Sequence, residues 1–243
     1  MTKGEEKQSG ERPASDGRSP LHAVVTGTSS GIGQAIAERL LDEGWKVIGL
    51  DRAPATIERE GFTPISVDLS DTKHIAKSLQ NIGDVTAFVH AAGYMRVARL
   101  GDLTLEPGEG MWRLHVEAAS AIANHLVAGL PFGGRIVLIG SRTSNGAAGR
   151  SQYAATKAAL VGLARSWAIE LAPRGITVNV VAPAATNTPF LRDPVRAAAT
   201  PVLPPIGRFI EVSEVAAMTA FLLGPEAGAI TGQTISICGG ASL

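Results

Sequence analysis

Ser141, Tyr153 and Lys157 carry the strongest chemical signal in this sequence, in the stretch SRTSNGAAGRSQYAATK. On a helix, the four-residue spacing of Tyr153 and Lys157 stacks them one turn apart on the same face. A free phenol ionises at roughly 10 and moves protons poorly at neutral pH. A neighbouring ammonium favours the phenolate and draws it toward the working range. Ser141 can then hold a substrate oxygen while Tyr153 puts a proton on it or takes one off. The set suits interconversion of an alcohol and a carbonyl. A bare Y-x-x-x-K arises often by chance, so its weight depends on the elements that position it.

Residues 133–141, GGRIVLIGS, read as a strand that delivers Ser141 at its C-terminal end. The helix carrying Tyr153 and Lys157 continues through AALVGLARSWAIELAPRG, with Leu160, Leu163, Ala164, Trp167, Ala168 and Leu171 as its apolar stripe. At the other end of the chain, 22–27 (HAVVTG) is a short β-branched strand. A glycine-rich turn follows it, then an amphipathic run with Ile36, Ala37, Leu40 and Leu41 on one stripe. Gly27, Gly31 and Gly33 have a G-x-x-x-G-x-G spacing, with Ser29, Ser30 and Ile32 between them. Such glycines permit a tight turn, close approach of a pyrophosphate and close helix–strand packing. The helix N-terminus then offers unpaired N–H groups to the phosphates. No Lys-Ser/Thr pair follows the last glycine, so this is not a P-loop. Asp51 ends the second strand near the ~20-residue offset expected of an acid that binds adenine ribose hydroxyls. Its charge would repel the extra phosphate of NADP, which favours NAD; Arg52 beside it is the counter-argument, since it could hold that phosphate.

Further strands are expected at 63–71, 84–93, 176–183 and 233–240, and helices at 73–81 (capped by Asp71), 111–129 and 211–224. The 51–68 interval is too short for a full crossover helix. Residues 94–110 read as irregular, and 184–207, rich in Pro and Ala, as a substrate lid. Alternation of strand and helix predicts an α/β fold: a single-domain, Rossmann-like, doubly wound parallel sheet of about seven strands with helices on both faces.

Composition narrows the function classes. The 243 residues suit one domain, and Lys+Arg and Asp+Glu balance at 22 each, so no net field draws the chain to nucleic acid or membrane. No apolar run approaches the ~20 residues that cross a bilayer. The single cysteine, Cys238, excludes an internal disulfide framework and is expected as a small buried residue of the last strand. Residues 1–20 are polar and read as a disordered leader, not a secretory signal. A cytoplasmic location is expected.

Taken together, residues 22–243 resemble a classical short-chain dehydrogenase/reductase. The segment from Thr26 to Gly33 matches the family's cofactor motif. His90-Ala91-Ala92-Gly93 resembles its Asn-Ala-Ala-Gly. Ser141, Tyr153 and Lys157 fall on its catalytic residues, and Asn179 to Pro183 with Thr188 resembles the segment flanking the nicotinamide amide. The resemblance implies that Tyr153 is the general acid or base, that Lys157 also binds the nicotinamide ribose, and that Ser141 orients the substrate oxygen. It implies Asp68 and Leu69 near the adenine, and His90, Ala91, Ala92 and Gly93 along the cofactor. Pro183, Thr186 and Thr188 fall near the carboxamide. It implies hydride transfer without metal, in a homotetramer or homodimer. Where the family often has an Asn, in the helix after the fourth strand, this chain has His115. It is read either as titrating near neutrality and joining a proton relay, or as filling the site and bonding nearby main chain. His90 likewise has a bland reading, as a strand-end residue bonding main chain. Ala184 replaces a usual glycine, and the loop from Ser141 to Tyr153 is one residue shorter.

The expected function is NAD-dependent oxidation of a secondary alcohol, on a cyclic diol or hydroxy acid. Arg96, Arg99, Arg142, Arg150, Arg192 and Arg196 are candidates to pair with a carboxylate substrate. The alternatives are a catalytically silent NAD(H)-binding sensor and an NADP-dependent carbonyl or 3-oxoacyl reductase. An epimerase or dehydratase would need a larger substrate domain than remains after the sixth strand.

Overall fold

The computed structural model describes residues 21–192 and 201–243. The expected leader, residues 193–200 of the expected lid, and Arg196 lie outside the described residues. Seven strands form one parallel sheet: β1 (His22–Thr26), β2 (Lys46–Asp51), β3 (Phe62–Ser66), β4 (Ala87–His90), β5 (Arg135–Ile139), β6 (Thr177–Pro183) and β7 (Thr234–Ile237). Their spatial order is β3-β2-β1-β4-β5-β6-β7. The chain thus works outward from β1, returns, and continues from β4 in the other direction. The order reverses between β1 and β4, and open α/β sheets hold ligands at such a reversal, beyond the strands' C-terminal ends.

Helices cover both faces, which is why β1, β4, β5 and β6 read as nearly unbroken apolar runs. Successive side chains point to opposite faces: Val24 joins one core, and Ala23 and Val25 join the other. The first core packs Phe88 and Leu138 against α2 (Thr72–Leu79), α4 (Ala118–Leu126) and α5 (Ser151–Leu171), through Leu79, Ile122 and Leu160. The second packs Val25, Val89 and Val137 against α1 (Gly31–Asp42) and α6 (Val212–Leu223), through Ile36, Leu40 and Leu222. In α1 the buried positions are Gly33, Ile36, Ala37, Leu40 and Leu41, the stripe read from the sequence. Asp71 caps α2 by accepting from the Lys73 N–H. No helix intervenes between β2 and β3, as the short interval required.

Three expectations are corrected. Helix formation starts at Glu106, inside the stretch read as irregular: α3 (Glu106–Trp112) precedes a π-helical turn (Arg113–Glu117), which runs into α4. Pro107 lies in the first turn, where its missing N–H goes unused. Gly108 and Gly110 are tolerated in a helix because neighbours occupy their space. A Cβ on Gly108 would lie 2.6 Å from Gln152 Nε2, and one on Gly110 would collide with the Tyr94 hydroxyl. Second, Asp68 lies past the end of β3, exposed, rather than in the strand. Third, Cys238 follows β7 and is only half-buried. The Ser242 hydroxyl, bonded to its thiol, holds it below the usual thiol range.

Candidate active site

The turn after β1 is shaped by glycine. Gly27 (φ +75°) and Gly31 (φ +61°) adopt left-handed backbone that other residues resist. A Cβ on Gly27 would come within 2.9 Å of Ala92 Cα, and one on Gly33 would collide with the Gly27 carbonyl oxygen. The loop therefore lies tight against the end of β4, at the reversal of the sheet. Ser30 caps α1 without a side-chain hydrogen bond, and the first turn holds no acidic residue. Free N–H groups at a helix N-terminus and bare glycine backbone suit a pyrophosphate. Asp51 closes the loop from the other side. One carboxylate oxygen accepts from the Ser29 N–H at 3.0 Å and the other from the Ala53 N–H at 2.9 Å. The turn and its acid fit the diphosphate and ribose of a dinucleotide. Asp68 is further out. The Ser70 hydroxyl and amide hold its carboxyl below the usual range, with Arg52 adding to the shift. Leu69 is buried in the first core.

Beyond the C-terminal ends of β4, β5 and β6 opens a cleft of about 480 Å³. Ser141, Tyr153 and Lys157 all line it, together with Ile32, Ala91, Gly93, Pro183, Thr186 and Thr188. Ser141 sits two residues past β5 and caps a 3-10 turn (Arg142–Asn145); its hydroxyl oxygen accepts from the Thr143 N–H at 3.1 Å. Tyr153 and Lys157 share the first turns of α5. The Lys157 Nζ lies 5.8 Å from the centre of the Tyr153 ring and donates to the Ile139 carbonyl at 2.8 Å. Burial lowers its pKa to about 7, so the amine is partly charged near neutrality.

Two histidines lie behind the cleft, and their partners fix their tautomers. The Leu114 carbonyl can only accept, so His90 donates from Nε2 (3.1 Å) and its Nδ1 accepts from the Thr26 hydroxyl (3.1 Å). Thr26 Oγ1 in turn accepts from the N–H groups of Ala91 and Ala92, each at 2.9 Å. His115 Nε2 accepts from the Tyr94 N–H at 3.2 Å. Its Nδ1 therefore donates to Thr156 Oγ1 (2.8 Å), which donates to the Tyr153 carbonyl (2.8 Å). Burial first, and the Lys157 charge second, lower the pKa of His90 to about 3 and hold His115 well below 6.5. The expectation that His115 titrates near neutrality is corrected; its bond to nearby main chain is what the geometry shows. His90 is fully buried and bonds main chain, so it does not line the cofactor side of the cleft. Ala92 is buried too, with only its neighbours Ala91 and Gly93 facing the cleft.

Thr156 was not singled out in the sequence, and Thr26 only as the start of the cofactor motif, although each links a histidine to the backbone the site is built on. A threonine at the last position of a strand before a glycine turn was the available signal for Thr26. Asn179 is fully buried and ties β6 to the turn that precedes β7, donating to the Ile230 carbonyl and accepting from the Gln233 N–H. Among the described residues no helix is long and apolar enough to cross a membrane.

A dinucleotide-shaped turn and a cleft bearing Ser, Tyr and Lys define an oxidoreductase of the doubly wound class. The chain belongs to the classical short-chain dehydrogenase/reductase family. Residues 27–242 match the family described as Enoyl-(Acyl carrier protein) reductase. The 3-oxoacyl-[acyl-carrier-protein] reductase FabG of Vibrio harveyi is 34% identical over 234 residues, spanning 90% of this chain and 96% of the relative. Aldohexose dehydrogenase of Thermoplasma acidophilum superposes with a TM-score of 0.83 at 27% identity, covering 92% of this chain and 94% of that one. A blue fluorescent protein from a metagenomic library, in complex with NADPH, gives 0.80 at 29% identity, over 92% and 98%. The chain is thus an NAD(P)-dependent oxidoreductase acting between an alcohol and a carbonyl on a small molecule.

Proposed function

We propose that this chain is an NAD-dependent dehydrogenase of secondary alcohols. The observation that carries the reading is the convergence of Ser141, Tyr153 and Lys157 on one cleft beside Ile32 and Thr188. The dinucleotide, when bound, supplies the hydride acceptor. Gly27, Gly31 and Gly33 would hold its pyrophosphate, and Asp51 its adenine ribose. Ser141 donates a hydrogen bond to the substrate oxygen. Tyr153 takes the substrate's hydroxyl proton on oxidation and returns it in the reverse direction. Lys157, when charged, favours the phenolate that accepts that proton. His115 is a positioning residue: neutral, it braces the Tyr153 backbone through Thr156, with its ring 5.7 Å from the tyrosine ring. The reading favours NAD because a carboxylate at the end of β2, Asp51, would repel the extra phosphate of NADP.

The similarity to 3-oxoacyl reductases favours a second reading, reduction of a 3-oxoacyl thioester with NADPH. Steady-state kinetics with both nucleotides, on secondary alcohols and on acetoacetyl thioesters, separate the two. The first reading predicts alcohol oxidation with kcat/KM for NAD above that for NADP. Tyr153→Phe should lower kcat by about 10³-fold with little change in NAD affinity. Efficient thioester reduction with NADPH alone would overturn it in favour of the second. An unchanged rate in Tyr153→Phe would remove both.

A further inference from the structure

Resting on that reading, the cleft also points to the substrate's charge. Among the described residues its lining includes Arg142, Arg150 and Lys157 and no Asp or Glu. Lys157 is engaged with the Ile139 carbonyl, deep behind Tyr153. Arg150 precedes α5 and has partners of its own. Arg142 differs. It is half-buried, and among the described residues its side chain makes no hydrogen bond or ion pair. Among the described residues the other shielded arginines are occupied. Arg96 donates to the Met95 carbonyl and lies over the Tyr94 ring at 4.8 Å. Arg135 and Arg174 each bond backbone carbonyls. A guanidinium drawn out of water with no counter-charge is destabilising, and an oxyanion that arrives with a ligand relieves that cost.

Its place in the chain is also specific. Arg142 opens the 3-10 turn that Ser141 caps, so the turn that fixes the serine hydroxyl fixes the root of the arginine. Adjacent Cα atoms lie about 3.8 Å apart, and the arginine arm extends several bonds beyond. A guanidinium there reaches a group carried near the carbon whose oxygen Ser141 holds. Its planar fork accepts a carboxylate or phosphate through two parallel hydrogen bonds.

We propose that Arg142 binds an oxyanion carried by the substrate a few bonds from the reacting carbon, so that the substrates are hydroxy acids and keto acids or phosphorylated alcohols. An uncharged alcohol, ester or thioester would leave Arg142 without its partner.

The test compares matched substrates with NAD: short hydroxy acids, their methyl esters, and phosphorylated alcohols, on the wild type, Arg142→Ala and Arg142→Lys. The wild type should prefer the anion over the ester by about 100-fold in kcat/KM, mainly through KM. Arg142→Ala should reduce that preference to a few-fold with NAD affinity unchanged, and Arg142→Lys should keep part of it. A preference for hydroxy acids identifies carboxylate as the source; a preference for phosphorylated alcohols identifies phosphate. Esters turned over as well as acids by the wild type, or a preference that survives in Arg142→Ala, would overturn the proposal. Calorimetric binding of the same compounds to the protein–NADH complex reads the contact without turnover. Equal binding of acid and ester there overturns it as well. Absence of turnover with every compound, with the anion still binding through Arg142, would instead count against the dehydrogenase reading alone.

Discussion

Tyr153 stands between a neutral imidazole, its ring 5.7 Å away, and a buried amine 5.8 Å from its own ring centre. The imidazole is neutral because protonation of His115 would cost it the bond it accepts from the Tyr94 N–H, in a site already penalised by burial. His90 is held the same way by Thr26. Both pKa values are lowered in the folded state, so between pH 6.5 and the folded values the unfolded chain binds more protons. Their stabilisation is complete well above pH 6.5 and is lost as pH falls through and below it, by roughly a kcal/mol per pH unit for each histidine. Urea unfolding between pH 6.5 and 5 is expected to show that slope, and the His90→Asn, His115→Asn pair to flatten it. An unchanged slope in the pair would mean that neither ring is buried neutral. Helical spacing put Tyr153 and Lys157 on one face in the sequence, and both line the cleft together with Ser141. The state of His115 was not legible, since it depends on Tyr94, Thr156 and Lys157, brought in from three separate segments.

At the scale of elements, the glycine turn and α1 followed directly from local pattern, down to the buried stripe of Ile36, Ala37, Leu40 and Leu41. The start of α3 did not. Two glycines and a proline read locally as loop, and only the packing of Gln152 and Tyr94 against Gly108 and Gly110 explains them. The π-helical turn is equally hidden, because the buried positions Met111, His115, Ala119, Ile122 and Leu126 keep ordinary helical spacing. The strongest test of an element falls on Gly33, where a Cβ would run into the Gly27 carbonyl and has no flexible side chain to displace. Gly33→Ala should cost about 3 kcal/mol or more, roughly 6–12 °C in melting temperature for a domain of this size, and weaken NAD binding. Gly162→Ala, in the interior of α5 with nothing within 4 Å of its Cβ, should instead gain about 0.5–1 kcal/mol. Equal melting temperatures for the two variants would show that the loop is not packed as described.

For the whole molecule, alternation of strand and helix predicted the parallel sheet, while the strand order that sets β1 beside β4 came from the structure. That order explains why residues as distant in sequence as Gly27, Ala91, Ser141, Tyr153 and Thr188 gather at one edge. Each follows the C-terminal end of a strand near the reversal, or lies on the element that comes next. The central claim is that this edge moves a hydride between a substrate carbon and a nicotinamide, with Tyr153 moving the proton. The most direct measurement uses a secondary alcohol deuterated at the carbinol carbon, incubated with NAD and the full chain, with deuterium located by mass spectrometry. One deuterium should appear at C4 of the reduced nicotinamide per turnover, and the signal should fall to background in Tyr153→Phe. Deuterium released to water, or tight NAD binding with no reduced nucleotide across hydroxy acids, diols and simple alcohols, would contradict it; the second result would leave a nucleotide-binding sensor as the better description.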